Sequence, residues 1–157
     1  MSLVVQPGNV SSSLDHNIGF HFTYSSKLAY HRPPQCSELV VDYLLPRGLF
    51  ADPYELDLRS DSYSYATDIM PDLERPVSAV AEGDTALRLR LNPSSISDSG
   101  LVEISLPLHA RYGDISESAR EEAYAKLFLP FPQAFWHCPN QGVSYVAVHL
   151  QVLTCPS

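Results

Sequence analysis

The chain predicts an all-β fold: an antiparallel β-sandwich or open barrel with Pro-rich loops and at most one short helix. Several short segments alternate apolar and polar residues with a period of two, as half-buried strands do. Thirteen prolines outnumber seven glycines and stand mostly between those segments. The sequence does not alternate between strand and helix patterns, as a chain that forms a parallel sheet would. We expect a flexible N-terminal segment over residues 1–14 and a single β-sandwich domain over residues 15–157.

Five segments alternate clearly enough to be predicted as strands. In each of them the apolar side chains occupy every second position and form the face expected to be buried. One segment contains Pro107, which lacks a backbone N–H and therefore predicts an edge position or a bulge. The five segments are residues 18–24, 38–45, 86–91, 101–110 and 144–153.

The remaining segments are less regular. Residues 57–85 are polar and interrupted by prolines, and we expect a surface excursion with one short strand. Residues 115–122 are the one helical candidate, with Ser116 as its N-cap. Residues 124–129 form a strand-like run that ends at Pro130.

Composition excludes several classes of function. The net charge is -8, whereas a nucleic-acid-binding surface needs clustered Lys and Arg. No run approaches the roughly 20 apolar residues of a membrane helix. The N-terminus has no basic region followed by an apolar stretch, so no signal peptide is recognised.

Three cysteines leave one unpaired if a disulfide forms. No Cys-x-x-Cys motif supports a zinc knuckle or a thioredoxin-type site. Cys36 and Cys138 are a candidate pair in an oxidising lumen, although the sequence leaves the connectivity open. Cys155 is expected to be free or intermolecular. Asn9 begins an Asn-Val-Ser sequon and is a candidate glycosylation site if the chain enters the secretory pathway.

No catalytic, cofactor or metal site is predicted. Asp52 and Glu55 could form a glycosidase carboxylate pair, but Asp52 before Pro53 is more typical of a turn whose side chain caps backbone N–H groups. Neither a Gly-x-Ser-x-Gly motif nor a phosphate-binding glycine loop is present. The histidines show no ligand spacing with a second histidine or a carboxylate, so solvated or edge positions are expected for all six: His16, His21, His31, His109, His137 and His149.

Four large aromatic residues lie within nine positions near the C-terminus. They fit either the core or an exposed contact surface for a protein or membrane protein, and both alternatives remain open. They are Phe128, Phe131, Phe135 and Trp136.

Three strings, in this order, resemble the PIG-X family from about residue 16 to residue 153. The first is a Leu-Pro-x-Gly string that continues to Asp-Pro-Tyr-Glu-Leu, the second a Leu-Pro-x-His-x-Arg-Tyr string, and the third a Pro-rich segment that leads to Cys-Pro. They are Leu45-Pro46-Arg47-Gly48-Leu49-Phe50-Ala51-Asp52-Pro53-Tyr54-Glu55-Leu56, then Leu106-Pro107-Leu108-His109-Ala110-Arg111-Tyr112, then residues 129–139.

This resemblance implies a non-catalytic role. Proteins of the family are single-pass endoplasmic-reticulum proteins whose lumenal domain stabilises a multi-spanning mannosyltransferase of the PIG-M type. That enzyme adds the first mannose during glycosylphosphatidylinositol (GPI) anchor assembly. The expected function is therefore an accessory subunit of GPI mannosyltransferase I, on the lumenal side of the membrane, with no cofactor. The signal peptide and membrane helix expected in the family are not recognised in this sequence.

The two Leu-Pro strings also suggest where the partner binds. We expect a contact face that includes Tyr54, Glu55, His109, Arg111 and Tyr112, because loops at one end of a sandwich commonly carry binding residues. An internal ion pair of Arg111 with Asp52 or Glu55 is the alternative use of these charges.

The rival function belongs to another class: a secreted or lumenal carbohydrate-active β-sandwich. A sugar-binding module would expose coplanar aromatic rings on one sheet face. A glycoside hydrolase would place two carboxylates in one cleft.

Overall fold

A computed structural model describes residues 10–16, 20–34, 36–97, 100–113, 127–138 and 142–146. In these ranges the chain forms two antiparallel sheets that pack face to face and do not close into a barrel, so the predicted β-sandwich is confirmed. The elements are β1 (Val10–His16), β2 (His21–Ala29), β3 (Glu38–Leu45), β4 (Leu49–Phe50), α1 (Pro53–Asp57), β5 (Tyr63–Thr67), β6 (Thr85–Leu91), β7 (Leu101–Ala110), β8 (Gln133–Cys138) and β9 (Gly142–Val146), with 3-10 turns at Val77–Ala79 and Pro93–Ser95.

The strand order brings distant parts of the chain together. The first sheet has the order β1-β2-β7-β4, and the second has the order β5-β6-β3-β8-β9. The strand β4 pairs only with the last two residues of β7. On the side of β7 opposite β2, the described chain therefore places no strand beside Pro107. This agrees with the edge position that the proline predicts.

The core lies between the sheets and contains the alternating faces predicted from the sequence. The odd-numbered apolar residues of β3 and β6 and the even-numbered ones of β7 are buried, while Arg88 and Arg90 of β6 face outward. The rings of Tyr24 and Tyr43 meet across the two sheets with centroids 5.9 Å apart. The Tyr43 hydroxyl donates to Ser26 Oγ at 3.2 Å, so this buried polar group has a partner. Burial raises the pKa of Tyr43.

The N-terminal prediction is wrong for residues 10–14, which belong to β1. Its Ser11-Ser12-Ser13 stretch has no apolar alternation, so the pattern gave no strand signal. The strand forms by pairing along β2, and Ser12 Oγ donates to the buried Ser26 Oγ at 3.2 Å. Cross-strand pairing and a buried hydroxyl pair replace the missing apolar face.

Three other elements differ from the predictions. The helix of the described chain is α1, which the sequence indicated only as an Asp-Pro turn; the predicted helix at 115–122 lies outside the described residues. Residues 127–129 of the strand-like run 124–129 are not a strand. The strand β8 was not predicted, and only residues 144–146 of the predicted C-terminal strand fall within the described residues, in β9.

A disulfide joins Cys36 to Cys138 across 102 residues of sequence. Both half-cystines are buried beside β3 and β8, which pair directly. The bridge therefore fixes the entry to β3 against the end of β8. Cys155 and the Asn9 sequon lie outside the described residues.

We expect loss of this disulfide to lower the free energy of unfolding by about 2–4 kcal/mol, because the bridge restricts a long loop in the unfolded chain. Urea denaturation of the Cys36→Ser, Cys138→Ser double variant would measure it. Cys155→Ser is the control, since it leaves the bridge intact. Equal stabilities for the double variant and the control would contradict the assignment.

A second prediction concerns Tyr63, whose hydroxyl is buried without a hydrogen-bond partner in the described structure. Burial raises the pKa of Tyr63 to about 12, whereas an unfolded tyrosine ionises near pH 10. Between these values the unfolded chain releases a proton that the folded chain keeps, so stability present below pH 10 is lost as the pH rises towards 12.

Tyr63→Phe should reduce that alkaline loss and leave stability at pH 7 unchanged or raised by up to about 1 kcal/mol. Tyr30→Phe is the matched control. Its hydroxyl donates to the Ser97 carbonyl at 2.6 Å, so its removal should cost about 0.5–1.5 kcal/mol. Urea unfolding at pH 7, 10 and 11.5 measures both, and a larger loss for Tyr63→Phe than for Tyr30→Phe at pH 7 would refute the prediction.

Candidate functional site

The first two family-like strings meet at one end of the sandwich. The Pro46 carbonyl accepts from Leu49 N at 2.8 Å, which closes a tight turn before β4. The strand β4 then pairs with the end of β7, with Leu49 opposite Ala110 and Phe50 opposite His109. Strings about 60 positions apart in the sequence are thus hydrogen-bonded neighbours in the fold.

The helix α1 positions the residues that follow β4. Asp52 is its N-cap, and Asp52 Oδ1 accepts from Tyr54 N at 2.9 Å, so the predicted capping role is confirmed. Pro53 occupies the first turn, where its missing N–H costs nothing. Leu56 is buried and anchors the helix, which leaves Tyr54 with 74% of its surface exposed.

Glu55 lies beside two histidines that the strand register brings together. His21 of β2 is directly opposite His109 of β7, and their ring centroids are 3.9 Å apart. Glu55 Oε2 lies 3.4 Å from His109 Nε2, and Glu55 Oε1 lies 4.0 Å from His21 Nδ1. The expectation of a solvated or edge position is wrong for His109, whose side chain is only 13% exposed and stacks on the Phe50 ring at 5.1 Å.

Arg111 does not pair with Asp52 or Glu55, so the predicted internal ion pair is wrong. Its guanidinium donates to the backbone carbonyls of Asp72 and Arg75 and lies 4.6 Å from the centre of the Phe50 ring. Burial lowers the pKa of the Arg111 guanidinium, and the Asp72 charge opposes this shift. Arg111 therefore ties the excursion between β5 and β6 to the end of β7.

Tyr112 follows Arg111 and is 64% exposed. Its ring meets that of Phe20, which is also exposed, with centroids 4.4 Å apart. Phe20 was not predicted as a site residue, because the alternation of residues 18–24 assigned it to the buried face. Phe20 lies at the margin of the sheet, just before β2 begins, where its carbonyl accepts from Ala110 N at 2.8 Å and its side chain is exposed.

Together these residues form what we call the motif surface, an aromatic and titratable area at one end of the sandwich. Its members lie in three parts of the chain: the start of β2 with the residue before it, the helix α1, and the end of β7 with the residues after it. They are Phe20, His21, Tyr54, Glu55, His109 and Tyr112.

The C-terminal aromatic cluster divides between core and surface. Trp136 and Phe135 are buried in β8, and Phe131 is partly buried against the core. Phe128 is 82% exposed. The sequence left open whether these rings belong to the core or to an exposed surface, and each alternative applies to different members of the cluster.

The carboxylates of this end do not have the arrangement of a glycosidase centre. Asp52 is used as a helix cap, and Glu55 faces imidazoles, so these two carboxylates do not act as a pair. A cavity of about 240 Å³ lies beside the surface, lined mainly by apolar side chains such as Phe50 and Met70. The site is suited to contact and recognition.

Comparisons with known proteins place most of the chain in one family. Residues 17–152 match the family model described as PIG-X / PBN1. A relative named protein pbn1, from Neurospora crassa, is 29% identical over 133 residues, which cover 76% of this chain. The matched part is 25% of that relative's length, so the chain spans about a quarter of it.

Within the described residues, no helix has the length and apolar character needed to cross a membrane.

We expect Arg111→Ala to lower the free energy of unfolding by about 1–3 kcal/mol, because two backbone carbonyls lose a charged donor. Amide hydrogen exchange should also become faster in residues 72–77. Arg90→Ala is the control: Arg90 lies on the outer face and pairs with Glu38 at 3.5 Å, a contact worth about 0–1 kcal/mol. Unchanged exchange in residues 72–77 of Arg111→Ala would show that the excursion is held by other contacts.

Proposed function

The chain belongs to the PIG-X / PBN1 family, and from that membership we propose that it is a non-catalytic stabilising subunit of GPI mannosyltransferase I. The family acts in GPI-anchor biosynthesis as an accessory subunit. In this proposal the domain lies on the lumenal side of the endoplasmic-reticulum membrane. It binds a multi-spanning catalytic subunit of the PIG-M type and is needed for addition of the first mannose.

One observation carries the proposal: two strings that carry the family resemblance converge, yet leave Tyr54 and Tyr112 largely exposed. Most large aromatic side chains of a soluble domain are buried, and exposed aromatic residues are enriched at protein contacts. An aromatic surface supported by a rigid sandwich suits a protein that holds another protein in shape.

The five predicted contact residues take different roles in this proposal. Tyr54 and Tyr112 contact the partner directly, because their rings project from the end of the sandwich. Glu55 and His109 are partly buried and contact each other, so they form the less exposed part of the surface. Arg111 acts as a positioning residue, since its guanidinium is used by backbone carbonyls and the Phe50 ring.

The rival carbohydrate-active function is less well supported. Sugar-binding platforms present aromatic rings that lie in one plane, whereas Phe20 and Tyr112 are inclined by 49° to each other. The carboxylate pair considered from the sequence is divided between a helix cap and two imidazoles. Both observations favour protein contact over sugar binding.

We expect the Tyr54→Ala, Tyr112→Ala double variant to co-purify at least about tenfold less catalytic subunit from cells, because aromatic anchors contribute about 2 kcal/mol or more each at protein interfaces. The amount of catalytic subunit and the surface level of GPI-anchored proteins should fall with it. Immunoprecipitation and flow cytometry in cells that lack the endogenous protein measure these quantities.

Leu101→Ala is the matched control, because Leu101 is equally exposed but begins β7 at its opposite end. Circular dichroism and thermal unfolding confirm that all variants fold. Normal co-purification and normal enzyme levels in the double variant would eliminate the motif surface as the contact.

A further inference from the structure

Three side chains of the motif surface present metal-ligating atoms to a common point. His21, Glu55 and His109 each offer one ligand atom, and these atoms all lie within 4.8 Å of one another. The three residues come from β2, α1 and β7, which are separate elements. The function proposed above uses Glu55 and His109 as part of the contact surface but gives the three ligand atoms no common role.

We propose that His21 Nδ1, His109 Nε2 and one carboxylate oxygen of Glu55 bind a divalent transition-metal ion, with Zn²⁺ the best match. Imidazole suits zinc and its neighbours in the first transition row, whereas calcium and magnesium prefer all-oxygen sites. Two histidines and one glutamate form an established zinc ligand set that leaves a fourth position for water or another donor.

The distances suit such an ion after a small closure. With zinc–ligand bonds near 2.0–2.1 Å in tetrahedral geometry, neighbouring ligand atoms are about 3.3 Å apart. The Glu55 Oε2 to His109 Nε2 distance is 3.4 Å, the distance from the other carboxylate oxygen, Oε1, to His21 Nδ1 is 4.0 Å, and the three ligand atoms all lie within 4.8 Å of one another. The His21 side chain is 63% exposed, so a rotation of its ring can shorten the second distance without disturbing the core.

His109 Nε2 gives an independent reason to expect a ligand. This atom is buried and makes no hydrogen bond within the described structure. The nearest charged atom is Glu55 Oε2 at 3.4 Å, which forms an ion-pair contact without a hydrogen bond, so the hydrogen-bonding capacity of Nε2 is unused. Stacking on Phe50 holds the ring in the orientation that directs Nε2 towards Glu55 and His21. A metal ion at the common point would satisfy this atom.

The ion would connect the helix α1 to the strands β2 and β7, which already pair with each other through their backbones at this end. It would fix α1 against β2 and β7 and thereby stabilise the position of the exposed Tyr54 side chain. The ion binds to the isolated domain in this proposal, so the inference stands or falls separately from the partner contact.

Isothermal titration of the untagged full chain with ZnCl₂ tests the site. We expect saturable binding of one Zn²⁺ per chain, and a rise in Tm of about 5–10 °C when free Zn²⁺ is 100 times its Kd. His21→Ala and Glu55→Gln should each weaken binding by at least about 10–100-fold, the loss seen even for residues that only support metal ligands. Substitution with Co²⁺ should give the visible absorption of a tetrahedral site.

His137→Ala is the matched control. His137 Nδ1 lies 3.5 Å from Glu38 Oε2, an exposed histidine–carboxylate contact outside the three-residue cluster, and its loss should leave zinc binding unchanged. His21→Ala replaces an exposed side chain, so its fold should survive, and circular dichroism checks this. Absence of saturable binding, or equal binding by His21→Ala and Glu55→Gln and the parent chain, would overturn the proposal and leave a histidine–carboxylate ion pair only.

Discussion

The pairing register of β2 with β7 is the constraint on which the motif surface depends. It sets His21 opposite His109 and carries the residues before β2 alongside those after β7, where Phe20 meets Tyr112. A shift of one residue would send alternate side chains to the opposite face, with Leu106 and Leu108 leaving the core. The cost of exposing that core face fixes the register, and the surface chemistry follows from it.

The regular strands of the sandwich are predictable from sequence because their burial repeats every second residue. In β6, for example, Leu89 is fully buried between two exposed arginines. β1 and α1 escape this reasoning for physical reasons. Serine hydroxyls and backbone pairing stabilise β1 in place of an apolar face, and α1 is a single capped turn of five residues anchored by Leu56.

The composition of the motif surface, though not its contact role, was predictable in part. Its two strings identified Tyr54 and Tyr112, because exposed turn residues carry local sequence signals. The grouping of His21 with Glu55 and His109 could not be predicted, since the three residues belong to elements that meet only in the folded sheet. The partners of Arg111 left no sequence signal either, because its guanidinium binds backbone carbonyls, which any residue supplies.

Hydrogen–deuterium exchange of the domain alone and in the presence of the proposed partner, the mannosyltransferase catalytic subunit, tests the central claim most directly, because it reports which end of the sandwich that partner would cover. The account predicts slower exchange in the complex at residues 20–22, 49–58 and 109–113, with little change at the opposite end around residues 28–30 and 100–103. Protection confined to that opposite end, or to the outer faces of the sheets, would contradict it.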